Sequence, residues 1–188
     1  MTDGPIGLVL AAGAGSRFGM PKALARTPGG TPWLRLATSA LADGGCDEVV
    51  VVLGAMAESA LHLVPADARV VIARDWQQGQ SASLLAGLAA CGGSSASAVV
   101  VTLVDLPGLT PEAARRVVAD AGAGDLRRAT YGGAPGHPVL IGREHWRPLT
   151  EELAGDTGAA HYLVSHRAET IDCTELGGGA DVDTWGAA

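Results

Sequence analysis

The chain has 188 residues, 47% of them hydrophobic and 18% charged, which is enough apolar material for one core, read as a single domain over residues 1–188. Its formal net charge of -7, with no basic stripe or lysine run, excludes a nucleic-acid backbone as the partner. No apolar run reaches the length of a membrane span, and three scattered cysteines, Cys46, Cys91 and Cys173, suggest neither a zinc site nor a disulfide framework and fit a reduced cytoplasm.

The apolar run Ile6 to Ala12 follows Asp3 rather than a basic segment and leads straight into glycines, so it reads as a buried first strand, Gly7 to Ala11, and not as a secretion signal. The strand then breaks into Gly13-Ala14-Gly15-Ser16-Arg17-Phe18-Gly19-Met20-Pro21-Lys22, a glycine loop with two cations. Gly13 and Gly15 permit backbone conformations closed to other residues and bring N–H groups close to an anion. Arg17 offers a fork for paired phosphate oxygens and Lys22 a mobile point charge, so the loop reads as a polyphosphate cradle; the alternative is a plain tight turn. Two other glycine loops are excluded. No window fits G-x-x-x-x-G-K-[ST]; in G-x-G-x-x-G, Phe18 stands at the third glycine, and no acid between Pro32 and Ala40 is there to hold a ribose.

Alternating elements follow. Trp33 to Ala42 is a helix stopped by Gly44-Gly45, Val49 to Leu53 a strand, Ala55 to Leu63 a helix and Val70 to Ala73 a strand. Ser81 to Ala90 is a helix stopped by Gly92-Gly93, Ala98 to Val104 a strand, and Pro111 to Ala119 a helix capped by Thr110. Short valine-rich runs of this kind are strands covered on both faces, so the expected architecture is an α/β fold: a three-layer α/β/α sandwich with a Rossmann-like, mostly parallel sheet. Ligands of such sheets bind at the carboxyl ends of the strands.

Asp105, in Asp105-Leu106-Pro107-Gly108, sets a carboxylate at that end of a central strand, where a hard oxygen ligand suits nucleotide-bound Mg²⁺; without a ligand it simply starts a turn. Around Gly79, Gln80 and Ser81 a strand end passes through a glycine loop into a helix that offers N–H groups and the hydroxyls of Ser81 and Ser83 to a ligand. The alternative makes Ser81 an N-cap and Gln80 a solvated loop residue. Gly136 and Pro138 fix the backbone around His137, which either binds an anionic acceptor or is a structural histidine ahead of a strand. His145, His161 and His166 lack zinc spacing and read as surface or helix residues.

The stretch L-A-A-G-x-G-S-R-F-G-x-P-K at residues 10–22 resembles the signature of the MobA-like nucleotidyltransferases, and later segments extend the resemblance over nearly the whole chain. It is most similar to the branch of molybdenum cofactor cytidylyltransferases, to which sequences called nicotine blue oxidoreductases also belong. The resemblance implies a fold of the nucleotide-diphospho-sugar transferase type, with nucleotide contacts from Leu10, Ala11, Ala12, Gly13, Gly15, Ser16, Arg17, Lys22, Gly79, Gln80 and Ser81. It implies Mg²⁺ held by Asp105 and by Asp183, since Asp181-Val182-Asp183-Thr184 is similar to a D-[IV]-D-T ending, with Asp181 in reserve. Trp185-Gly186 follows where the family continues with Pro and an acid.

Gly133 to Leu140 resembles a G-x-P-G-H-P-V-L stretch and brings His137 to the acceptor. Gly155 to Ala160 resembles G-D-x-G-A-R, which assigns Asp156 to the acceptor and leaves Ala160 in place of an arginine. The activity so implied is transfer of CMP from CTP to the phosphate of a molybdopterin-type cofactor with release of pyrophosphate, with Arg17, Lys22 and Asp105 as catalytic residues. The implied partners are a nucleoside triphosphate, a small phosphorylated acceptor and a molybdoenzyme or its chaperone. Two other readings stay open: NAD(P)H-dependent reduction of a quinone-like pigment, and nucleotide binding without turnover.

Overall fold

Runs of β-branched residues without a polar stripe settle into strands buried on both faces. In the computed structural model, which describes residues 4–183, these are β1 (Ile6–Ala11) and β2 (Glu48–Leu53), with the half-exposed edge strand β3 (Arg69–Ile72) beside β2, and β4 (Ala98–Leu103), followed by β5 (Leu126–Tyr131), β6 (Ala134–Gly142) and β7 (Glu169–Asp172). They form one seven-stranded sheet in the order β3-β2-β1-β4-β6-β5-β7. β1 pairs in parallel with β2 and β4, β2 with β3, and β5 with β7, while β6 runs antiparallel to both β4 and β5. The fold is the mostly parallel α/β sheet of the nucleotide-diphospho-sugar transferases.

Strand alternation divides the core into two layers. Val9, Val51, Val100 and Leu140 face α1 (Trp33–Asp43) and α4 (Pro111–Val118). Leu8, Val50, Val52, Val101 and Ile141 face α3 (Gln80–Cys91), α5 (Trp146–Glu152) and α6 (Ala160–Ser165) on the other side. Each fully buried side chain of this size contributes about 1.5–3 kcal/mol relative to exposure, so the central strands hold the frame on which the site is built. Helix α4 begins as its sequence dictates: Thr110 Oγ1 accepts from the amide of Ala113 at 3.2 Å, and Pro111 occupies the first turn.

Two differences from the sequence reading have physical causes. The helix expected over Ala55 to Leu63 is a single α-turn, α2 (Ala57–Ala60), followed by a 3-10 turn at Leu61–Leu63; Met56, at φ 50, cannot continue a right-handed helix. The strands β5 and β7 go unannounced in the sequence, and of β6 only the part after His137 is foreseen. β5 carries Arg127 and Arg128 and β7 is a short exposed edge, so neither has the apolar run that marks β1, β2 and β4, while Pro135 and Pro138 interrupt β6 ahead of its apolar end. Among the described residues no helix is long and apolar enough to cross a membrane.

Candidate active site

The carboxyl ends of β1 and β4 lie side by side, and the chain leaves each of them into the same cleft. After β1 the glycine loop closes on itself through Gly19 N–H donating to Gly15 C=O at 2.8 Å. Gly15 holds φ +63, and a Cβ there would sit 1.9 Å from the Met20 carbonyl oxygen, so the loop tolerates only glycine at this position. Gly13 has no positive φ and faces open space; what it gives is room beside the backbone rather than an unusual conformation. The turn delivers Lys22 to the foot of the cleft.

On the neighbouring strand the Val104 amide donates to Leu10 C=O at 3.1 Å, which places Asp105 immediately above the sheet. The tail arrives there because the Val182 amide donates to Asp105 C=O at 3.0 Å. Lys22 Nζ then lies 3.0 Å from Asp105 Oδ2 and 2.8 Å from Asp183 Oδ1. Arg17, 81% exposed, reaches Asp183 Oδ2 at 3.1 Å from the rim. Burial works against the Lys22 charge, but the hydrogen bonds and charges of Asp183 and Asp105 outweigh it and hold the ammonium above the usual lysine range. The Lys22 hydrogen bond, with the Lys22 charge, holds Asp183 below the usual carboxylate range.

A divalent cation fits this corner on an observation independent of motif. Asp105 Oδ1 is buried and has no hydrogen-bond partner among the described residues, an arrangement that costs free energy unless something positive meets it. Asp105, Asp181 and Asp183 each present one carboxylate oxygen, and the three oxygens lie within 4.8 Å of one another. Hard oxygen donors at this spacing suit Mg²⁺ or Mn²⁺. Asp181 therefore joins the pair expected from the sequence; Thr184 and Trp185, which complete that motif, lie outside the described residues.

The opposite wall is built from two loops in contact. Gly79, at φ +109, precedes α3; a Cβ on it would meet Asp156 Oδ1 at 2.3 Å and the Gly155 carbonyl at 2.6 Å. The Ser81 amide and hydroxyl both bond across the same junction, to Gly155 C=O and Ala154 C=O, each at 3.0 Å. Ser81 is only 2% exposed, so it fastens the Gly155 loop to α3, and Ser83, two residues further round, lines the cleft instead. The cleft, about 380 Å³, brings together Leu10, Ala11, Ala12, Gly13, Gly15, Lys22, Gly79, Gln80, Asp105 and Asp156. Ser16 and Arg17 are exposed at its edge. Trp76 and Gln77 also line it, on a 3-10 turn that apolar periodicity does not reveal.

His137 sits in an adjoining cavity of about 130 Å³ that shares Leu10, Gln80 and Leu103 with the cleft. Its Nδ1 lies 3.3 Å from the Val101 carbonyl. Burial pushes its pKa below the usual histidine value, the Arg128 charge adds to this, and the Val101 bond and Asp105 oppose it. At neutral pH the ring is therefore uncharged, with Nδ1–H donating to Val101 and Nε2 left as an acceptor, which removes charge stabilisation from the roles open to it. Arg128, on β5, shares this cavity, and no sequence signal marks it. A larger groove of about 800 Å³ lies at the amino-terminal end of β2, between α1 and residues 62–68, and brings together none of the expected site residues.

Residues 7–170 match the MobA-like NTP transferase domain. The chain belongs to this family. Across 191 residues the MobA-like chain is 36% identical to nicotine blue oxidoreductase of Paenarthrobacter nicotinovorans, covering 95% of this chain and 91% of the relative. Its fold superposes on Rv0371c from Mycobacterium tuberculosis with a TM-score of 0.83 at 29% identity, over 98% of this chain and 95% of the other. The same mycobacterial protein is known in complex with manganese, matched at a TM-score of 0.79 and 26% identity over 97% and 94% of the two chains. A Methanothermobacter nucleotidyl transferase, 21% identical, shares the fold with a TM-score of 0.82 over 98% of this chain and 94% of its own. The chain is thus built on a nucleotidyltransferase scaffold, and its cleft opens where its own glycine loop leaves β1.

Proposed function

We propose that the protein is a Mg²⁺-dependent nucleotidyltransferase that moves CMP from CTP to the phosphate of a molybdopterin-type acceptor and releases pyrophosphate. The observation that carries the reading is the meeting, in one cleft, of the glycine loop and Lys22 with a buried Asp105 oxygen that has no partner among the described residues. Asp105, Asp183 and Asp181 would hold the metal, whose chemistry is to neutralise triphosphate charge and withdraw electrons from phosphorus. The loop amides after Ala12 and the ammonium of Lys22 bind phosphate oxygens and oppose the charge that develops on them. Arg17, exposed at the rim, adds a second cation once its hold on Asp183 is given to phosphate. Gln80 and the Gly79 backbone face the nucleotide end of the cleft, with Ser81 keeping the Asp156 loop in place. No protein base is needed, because the acceptor phosphate is already an anion; position and electrostatics carry the reaction.

A molybdoenzyme or its chaperone is the proposed recipient of the product, and the cytoplasm the proposed location. The name of the Paenarthrobacter relative motivates a second reading, reduction of a quinone-like pigment with NAD(P)H. One experiment separates the two. Thermal midpoints are measured with CTP, GTP, ATP, UTP, NADH and NADPH, each with Mg²⁺ and with chelator. A Mg²⁺-dependent rise with one triphosphate supports transfer and names the base, whereas a rise confined to NADH or NADPH supports the reductase.

A further inference from the structure

The adjoining cavity holds a cation that nothing balances. Arg128 pairs in register with Val139 of β6 and Thr170 of β7, which turns its side chain to the α3 face of the sheet. Its Nε donates to Gly136 C=O at 3.3 Å, and among the described residues the other guanidinium nitrogens make no hydrogen bond and no carboxylate comes within ion-pair distance. Arg127, one residue earlier on the opposite face, is matched by Asp125 at 3.1 Å. Burial accordingly works against the Arg128 charge with no counter-ion to offset it. The remaining walls are mostly apolar, from β1, β4, β6, α3, α6 and the loop 157–159, and at about 130 Å³ the cavity comes close to the roughly 150 Å³ that holds a benzene-sized body.

We propose that Arg128 anchors the anionic group of the acceptor, and that the acceptor carries this group, a phosphate or a carboxylate, on a compact apolar or aromatic body seated in this cavity. The planar guanidinium suits the paired oxygens of either anion. His137 Nε2, an acceptor beside it, selects a body that also offers an N–H or O–H. The shared walls Leu10, Gln80 and Leu103 set this body against the cleft. The inference rests on the transfer of a nucleotide to an acceptor, but not on that acceptor being molybdopterin-type, and the anion site itself rests on neither.

Binding of phenyl phosphate, benzoate and benzyl alcohol is measured by thermal shift and calorimetry on the wild type and on R128Q, R128K and K22A, with CTP and Mg²⁺ as a separate arm. One or both anions are expected to bind the wild type, the alcohol is not, and the stronger anion names the group. R128Q should weaken anion binding by at least about tenfold, in line with hydrogen bonds to charged groups, and R128K by less, since it keeps charge without the fork. K22A should leave the phenyl phosphate response in place, which separates this site from the glycine loop. Anion affinity unchanged in R128Q, or in R128K should R128Q fail to fold, overturns the assignment, as does failure of both anions to bind the wild type. Failure of CTP, with anion binding intact, sinks the transfer reading and spares the anion site.

Discussion

The two adjoining cavities treat charge in opposite ways. In the cleft, Lys22 and Arg17 meet Asp105 and Asp183 at 2.8–3.1 Å, so cations and carboxylates hold one another in place until a charged ligand exchanges partners with them. In the smaller cavity Arg128 has no carboxylate partner among the described residues, and the walls around it are largely apolar. A site for a metal-bound polyphosphate needs both signs of charge, because its ligand has both; a site for a single anion on an apolar body needs one cation and a dry wall. The same surroundings keep His137 neutral: burial in this cavity is the main cause and the Arg128 charge adds to it, together outweighing the Val101 bond and Asp105, which favour its charge.

The strongest way to break the comparison is Asp105→Asn, which removes the charge that both Lys22 and a metal require. Metal-dependent pyrophosphate release is expected to fall by about two to three orders of magnitude, read in a coupled phosphate assay with saturating CTP. Retention of wild-type turnover would place the metal elsewhere. Next in size is Gly15→Ala. The new methyl collides with the Met20 carbonyl and the left-handed φ is strained, at a cost of about 1–3 kcal/mol in urea unfolding and a matching loss of nucleotide affinity. An unperturbed variant would mean the loop rearranges freely.

The neutral state of His137 sharpens the contrast through pH. Its folded pKa lies below the unfolded value of about 6.5, so the unfolded chain binds the proton more readily, and this contribution to stability is present above pH 6.5 and lost as pH falls through that value. Unfolding free energies at pH 7.5 and 5.5 should therefore drop more steeply for the wild type than for His137→Gln; equal slopes would show that the ring is not held neutral. The smallest effect is expected at Arg147, whose pair with Glu151 lies on the exposed face of α5 with side chains 90% and 67% exposed. Arg147→Ala should cost no more than about 0.5 kcal/mol, and less in high salt.

Much of this was legible along the chain because it depends on neighbours in sequence. The valine runs of β1, β2 and β4 announce buried parallel strands, Thr110-Pro111 announces a helix start, and the glycines and cations of residues 13–22 announce a loop for phosphate. The resemblance carried by those same residues led to the family that the domain match gives. Ser81 shows where local reading stops: its place at a helix start suggested a ligand contact, but the partner that occupies its hydroxyl, Ala154, is 73 residues away.

What sequence alone determined here is therefore the parallel half of the sheet and the chemical types around its first loop, since hydrophobic period and backbone permissiveness are local properties. Tertiary structure decided the rest. It paired the polar β5 with the proline-bearing β6 and turned Arg128 inward. It brought Asp181 and Asp183 from the tail to within reach of Asp105, and it left one Asp105 oxygen unmet. Those outcomes depend on which distant groups become neighbours, and burial and charge balance exist only once they have.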